Sequence, residues 1–380
     1  MFDPTYQNTI FRETPVSLPE NIDIYDVTLR DGEQHPNVHF TMKDKLLLVE
    51  KMVDFGITMI EGGFPATSQE EFETLQEIIT SYPQVKIYAF CRLKKEDIDL
   101  AVKSGAKYIV TFIPSSELLL EKKLGIQLDT ALERVNEVVR YAKSLGLYVR
   151  FGCEDATRTP IARLKKIYDV AVEAGADAIG IADTLGVMTP SSMTPFIKMM
   201  CEMYPGIKIA AHCHNDYGLA TANTLAAIEA GASRAHTSLC GIGERAGNAS
   251  FEELITILKY QYNYQFNFKF EKLHELTEAL YKIAKIPRPH IKAVCGKHSF
   301  THESGIHVQG LLKDEATYSP FPAQDIGRET QIALGKHSGK ANIEFLAKKH
   351  KISITDIKTK KALKDLKEGK KIDIFKSRYV

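Results

Sequence analysis

Paired cysteines are missing from this sequence: Cys91, Cys153, Cys201, Cys213, Cys240 and Cys295 stand singly, with no CxxC pair and no framework spacing. That excludes a disulfide-stapled fold and reads as free thiols in a reducing compartment. Charge of one sign is lacking as well. Lys and Arg total 49 against 48 Asp and Glu, a formal net charge of +1, so no bulk field draws the chain to nucleic acid or to an anionic membrane. No run approaches the roughly 18 apolar residues of a membrane span. The opening stretch MFDPTYQNTIFRETP mixes acidic, basic and proline residues before any apolar segment, so it does not read as a secretory signal. These absences predict a cytoplasmic location and a small or medium-sized substrate, with neither nucleic acid nor membrane as partner.

What is present is core-forming material: 44% hydrophobic and 26% charged residues over 380 positions, a globular composition. The length fits a barrel of about 250 residues with an extension of about 100. From Asn21 onward a short β-branched, apolar segment is followed repeatedly by an amphipathic helical one, the mark of βα units around a parallel sheet. Eight strands are predicted: IDIYDVT from Ile22, ITMIEGG from Ile57, VKIYAF from Val85, YIVTFIP from Tyr108, LYVRFGC from Leu147, DAIGIAD from Asp177, IKIAAHC from Ile207 and SRAHTSLC from Ser233. The joints DFGIT, KSGAKYIV, SLGLYV, EAGADAIG and EAGASRAH place a glycine where a helix closes before the next strand. Nothing interrupts the series to mark the switch point of an open sheet. The predicted fold is α/β, a (β/α)8 TIM barrel over residues 1–275. A mainly helical, loop-rich C-terminal region over 276–380 follows, its last part, KTKKALKDLKEGKK, reading as a solvated helix face.

In such a barrel the catalytic groups come from strand ends and the loops after them. Polar residues collect there at five strands: Arg30 and Asp31, Glu61, Glu154 and Asp155, Asp183 and Thr184, and His212 and His214. His212 and His214 stand two apart on a strand, so their rings project to one side. With a carboxylate from another strand they make a site of two imidazoles and one carboxylate, for which Asp31 is the best third ligand. A lone HxH is more often a pair of ordinary polar residues, but HCHNDYG sits at the barrel end that carries the acids. Such a site leaves positions open for substrate and accepts magnesium, manganese, iron or zinc. After the eighth strand, CGIGERAGN offers Glu244 to orient a base and Asn248 to give an amide oxygen to a metal, although a glycine-rich loop alone is equally a tight turn. The loop FTHESGIHVQG presents His302, Glu303 and His307. Histidine is the natural proton carrier near neutrality, and His302 and His307 both remain candidates.

The segments TLRDGEQ, EGGFPATS, CEDATRT, HCHNDYGLATANT, GIGERAGNAS, HESGIH and LGKHSG follow one another between about Ile24 and about Gly339. Together they resemble the α-isopropylmalate synthase and homocitrate synthase family, the DRE-TIM metallolyases. The resemblance implies joining the methyl carbon of acetyl-CoA to the ketone of a 2-oxo acid, then thioester hydrolysis and release of CoA. It implies one divalent metal ion (Mg, Mn or Zn) on Asp31, His212 and His214, with Asn248 a further ligand. Arg30, Gln34, Arg150 and Thr184 would bind substrate, Arg30 also stabilising charge on the ketone oxygen. Glu154, His307 and Tyr318 resemble the acid-base group, with Glu244 positioning the histidine. The resemblance also implies a homodimer in which the C-terminal region of one chain covers the barrel of the other.

Three departures bear on substrate choice: His35 follows RDGEQ where serine is common, Cys240 replaces a frequent asparagine, and Arg150 stands where isopropylmalate synthases often have an acid. Arg150 resembles the residue by which homocitrate synthases grip a second carboxylate. EGGFPATS, RDGEQ and GERAGN resemble 2-isopropylmalate synthase, and on balance the expectation is that enzyme, with 2-oxoisovalerate as acceptor in leucine biosynthesis. Homocitrate synthase with 2-oxoglutarate is the alternative, then citramalate synthase with pyruvate, and at a distance a hydroxyacyl-CoA lyase. The short C-terminal region leads to the expectation that leucine does not inhibit.

Overall fold

A computed structural model describes residues 3–372. Eight parallel strands close into a barrel in sequence order: β1 Asp23–Asp26, β2 Met59–Gly63, β3 Lys86–Arg92, β4 Tyr108–Pro114, β5 Tyr148–Glu154, β6 Ala178–Asp183, β7 Lys208–Cys213 and β8 Arg234–Thr237. β8 returns to β1 with Arg234 opposite Asp23 and Thr237 opposite Asp26. The outer helices are α1 Met42–Phe55, α2 Gln69–Ser81, α3 Lys95–Lys103, α4 Leu128–Ser144, α5 Ile161–Glu173, α6 Pro190–Met203, α7 Ala220–Glu229 and α8 Phe251–Tyr262. This is the predicted (β/α)8 barrel.

The local chemistry that sets these helices is plain in α1. The Thr41 hydroxyl accepts from the Asp44 amide while the Asp44 carboxylate accepts from the Thr41 amide, a reciprocal cap that satisfies two orphan donors. Leu48, Val49, Met52 and Phe55 then form one buried stripe at helical spacing. Gly56 ends the helix at φ 117°, and a Cβ there would lie 2.7 Å from the Asn267 carbonyl oxygen, so alanine is excluded by both strain and contact. The glycines of the other four joints, Gly105, Gly146, Gly175 and Gly231, also have positive φ.

The N-terminal end of the barrel is plugged. Tyr25, Tyr88, Tyr108 and Tyr148 pack inside it with Met59 and Val110, and the buried Arg234 guanidinium lies over three of these rings while donating to Asp23 at 3.0 Å. With that end filled, the open volume lies at the C-terminal end, where the strands point.

Strand ends differ from the sequence expectation where turns take over. β1 stops at Asp26, so Arg30 and Asp31 do not end a strand. They ride on a tight turn in which the amides of Asp31 and Gly32 both donate to the Val27 carbonyl oxygen, at 2.9 and 3.0 Å. β8 stops at Thr237, because the Ser238 amide donates to the Ala249 carbonyl oxygen, the Ser238 carbonyl accepts from the Phe251 amide, and the chain turns through Leu239–Gly241. His214 lies one residue past β7, held by a bridge to Asn248.

Beyond the barrel come α9 Leu273–Ile283, α10 Gly305–Leu311, α11 Lys340–Lys349 and α12 Asp356–Lys367, with β9 Thr301–His302 paired to β10 Gln331–Ile332. α9 packs on α1 and runs across the 275/276 position at which the sequence divides the chain. α10 packs through Val308 and Leu311 on Ile332, and α11 on α12 through Ile343, Ala362 and Leu366. The lysines of α12 lie mostly on its outer face, as expected of a solvated helix. No helix among the described residues is long and apolar enough to cross a membrane.

Candidate active site

The turn after β1 and the end of β7 bring Asp31, His212 and His214 together, all buried, with one donor atom from each within 4.8 Å of the others. His212 Nε2 is 3.3 Å from His214 Nε2 and 3.2 Å from Asp31 Oδ2. Metal–ligand bonds of about 2.1 Å meeting at roughly 90–109° place neighbouring donors about 3.0–3.4 Å apart, so both spacings suit a shared cation. The unpaired polar atoms agree. Asp31 Oδ1 and Asn248 Oδ1 are buried with no hydrogen-bond partner among the described residues, although such atoms are normally satisfied. The Asn248 amide nitrogen donates to the Ile242 carbonyl oxygen at 3.1 Å, leaving the amide oxygen free. Asp31, His212 and His214 fit a divalent ion, and the backbone bridge to His214 sets Asn248 next to them.

The electrostatics prepare the same donors. Burial opposes the charge of Asp31, but Arg30, with Nη1 at 3.1 Å, and His212 hold its carboxyl well below the usual range. Burial, then repulsion from His212, pushes His214 down to about 4, so it stands neutral at physiological pH with a lone pair to give. Arg30 is fixed in turn: its Nε donates to Glu61, whose other oxygen accepts from the Tyr25 hydroxyl at 2.8 Å, and its guanidinium lies 4.3 Å from the Phe90 ring centre. His236 stacks on Tyr25 at 4.4 Å and meets His212 edge-on at 5.4 Å, held neutral by burial and then by Arg150.

A cavity of about 800 Å³ opens over this centre. Of the residues named from the sequence, Arg30, Asp31, Gln34, Arg150, Glu154, Thr184, His212, His214 and Glu244 line it. Thr184 accepts the Asp155 amide on its hydroxyl oxygen at 2.8 Å, which leaves its proton free to donate. Asp183, by contrast, is used up in loop building, accepting from Thr157 and from the amides of Val187 and Met188. Both Glu154 oxygens accept from Lys123 Nζ at 2.8 Å. Glu244 pairs with Arg245 at 3.4 Å.

Arg150 is the least satisfied cation at this site. It is buried, its Nε has no acceptor among the described residues, and burial, added to by Arg234 and Arg30, weakens its hold on its proton against Tyr25 and Glu61. Gly180 on β6 makes room for it, since a Cβ there would lie 2.1 Å from Arg150 Nη2.

The cavity lining within one chain holds neither His307 nor Tyr318, and among the described residues none of it comes from beyond Glu244. His307 and Tyr318 instead stack on one another, ring centres 4.2 Å apart, both exposed, on α10 and the turn after it. His302 lies close by, its pKa lowered by partial burial and then by His307. His35 lies outside the lining as well, and Cys240 points to Glu252 and Cys295 rather than to the cavity. The sequence reading missed Lys123, which carries no spacing signal within EKKLG, and did not assign Glu61 its hold on Arg30.

A barrel whose open end converges on two imidazoles and a carboxylate able to share a cation, a buried guanidinium and salt-bridged carboxylates belongs to an enzyme rather than to a scaffold. Sequence comparison narrows the class. The profile of the HMGL-like family matches residues 21–280, and that of the homocitrate synthase post-HMGL domain-like family matches residues 294–373. The chain is 39% identical over 360 residues to the 2-isopropylmalate synthase of Sulfurisphaera tokodaii, covering 93% of each. It is 38% identical over 361 residues to the homocitrate synthase AksA of Methanothermobacter thermautotrophicus, covering 94% of this chain and 92% of that one. In fold it is similar to the HMG-CoA lyase of Bacillus subtilis, with a TM-score of 0.65 and 21% identity over 71% of this chain and 96% of the lyase. The chain belongs to the HMGL-like, DRE-TIM family of α-isopropylmalate and homocitrate synthases.

Proposed function

We propose that this enzyme condenses acetyl-CoA with a 2-oxo acid and releases CoA. The observation that carries this reading is the convergence of Asp31, His212 and His214 beside Arg30 in a substrate-sized cavity, with Asn248 bridged to His214 through the backbone. Asp31, His212 and His214 would hold a divalent ion, which when bound would supply Lewis acidity to the ketone. Arg30, locked by Glu61, puts a fixed positive charge where the ketone oxygen becomes an alkoxide. Thr184 donates its hydroxyl proton to the substrate carboxylate. Glu154 faces the acyl donor, with Lys123 holding its carboxylate in place, and takes part in moving the proton of the acetyl methyl. His307 and Tyr318, remote from the cavity of their own chain, reach the barrel of a second copy in a homodimer, where Glu244 positions the histidine. A family match continuing to residue 373 favours the synthase over the lyase reading, for which the fold likeness covers 71% of the chain.

For the acceptor, Arg150 outweighs the motif balance that favours 2-oxoisovalerate. A buried guanidinium with an unpaired Nε and a glycine cleared opposite it suits a second carboxylate, so 2-oxoglutarate is the acceptor of choice and 2-isopropylmalate synthesis the second reading. The apolar wall of Phe90, Val110, Phe112 and Ile113 favours that second reading. Thiol release from acetyl-CoA with 2-oxoglutarate, 2-oxoisovalerate and pyruvate, compared by kcat/KM, tests both levels. Absence of thiol release with every one of the three acceptors refutes the condensation, and a preference for 2-oxoisovalerate moves the assignment to the second reading.

A further inference from the structure

The cavity has two unlike ends. At one lie the metal-binding residues and Arg30; at the other, past β3 and β4, the lining carries Arg92, Lys94, Lys123 and Arg134. Between them runs an aromatic wall: Arg30 lies over Phe90, Phe90 packs on Phe112 at 4.9 Å and on Phe64 at 5.5 Å, and Arg92 lies 5.5 Å from the Phe64 ring centre. In a chain of net charge +1, this rim is a local concentration of cations. Two of them are already engaged, Arg92 with Asp97 and Lys123 with Glu154. Lys94 and Arg134 are exposed, and neither has an ion-pair partner among the described residues. The acids of the neighbouring lining do not neutralise them, because Glu33 and Glu71 are both bound to Lys45.

We infer that Lys94 and Arg134, with Arg92 beside them, hold the phosphate groups of the coenzyme A nucleotide. The inference rests on the acetyl-CoA reading and deepens it. A cavity of about 800 Å³ seats a 2-oxo acid, a thioester and an extended pantetheine arm, but the adenosine bisphosphate must emerge from it. The aromatic wall gives the arm its apolar path, and the path ends at two free cations on separate elements, the N-cap of α3 and the outer face of α4. Phosphate oxygens are strong acceptors for such donors.

The test reverses both charges, Lys94→Glu with Arg134→Glu, and compares two acyl donors. For acetyl-CoA, KM rises roughly ten- to a hundredfold with kcat and the oxo-acid KM unchanged, and the penalty shrinks as salt screens it. For S-acetylpantetheine, which has no phosphate, kcat/KM is the same in both proteins. Calorimetry with adenosine 3′,5′-bisphosphate gives the reading without turnover: the wild type binds it at roughly 0.1–1 mM and the variant does not. An unchanged acetyl-CoA KM, an equal loss with S-acetylpantetheine, or no binding of the bisphosphate by the wild type overturns the inference. Binding of the bisphosphate by a wild type that releases no thiol would instead sink the acetyl-CoA reading and leave the phosphate site standing.

Discussion

Replacing Arg150 by methionine separates two roles that a buried arginine can have. If the guanidinium is structural, its removal breaks bonds and destabilises the fold; if it waits for a substrate carboxylate, the free protein loses nothing. The geometry favours the second outcome, because Nε has no acceptor and burial opposes the charge. Methionine keeps much of the side-chain volume and relieves that desolvation, so Tm holds or rises. Binding is another matter. Removing one partner of a desolvated charge pair costs about 2–5 kcal/mol, and at about 1.36 kcal/mol per tenfold this puts the loss in kcat/KM for 2-oxoglutarate at roughly 30- to several thousandfold. With 2-oxoisovalerate no pair is lost, and kcat/KM stays within about threefold or improves as the site turns apolar. The assay is thiol release at saturating acetyl-CoA with a chromogenic thiol reagent, beside a thermal melt. Equal losses with both acceptors, or a melt several degrees lower, would refute the assignment of Arg150 to the distal carboxylate.

Two further outcomes follow from other parts of the molecule. Arg30→Ala and His307→Ala chains, each inactive alone, regain about a quarter of wild-type activity when co-refolded at equal amounts, since half the dimers are hybrid and each hybrid has one intact site; no recovery argues against sharing of sites between chains. Burial lifts Asp26 to about 7 from the usual 3.8, against opposing hydrogen bonds from Thr28, so between these values the folded chain keeps a proton that the unfolded chain has released. Its stabilising contribution is complete below about pH 4 and gone above about pH 7, with a slope of up to about 1.4 kcal/mol per pH unit between. Asp26→Asn removes that slope from melting curves across the window, and an unchanged slope contradicts the raised pKa.

Much of the fold could be read from residues because its signals are local. β-branched runs ending in polar residues, and glycines such as Gly56 and Gly175 that leave helices with positive φ, recur once per unit and need no long-range knowledge. Strand ends were harder. The ladder from β1 stops at Asp26 although TLRD looks extended, since a backbone turn onto Val27 competes with it, and nothing in the residue types announces that choice. The candidate metal ligands were visible as HxH opposite an aspartate. Two features were not. Lys123 reaches Glu154 from a five-residue π-helical turn, Leu120–Leu124, whose direction no spacing encodes, and the separation of His307 and Tyr318 from their own cavity depends on how the C-terminal region packs. The meaning of Arg150 likewise changed once Gly180 was seen beside it, on a strand 30 residues further along.

Metal stoichiometry tests the central claim most directly. After chelation and reloading with manganese or zinc, elemental analysis of the wild type should give about one ion per chain. Asp31→Asn, His212→Ala and His214→Ala should each bind at least roughly ten- to a hundredfold more weakly, with circular dichroism unchanged. One tightly held ion per chain in the triple variant would contradict the account.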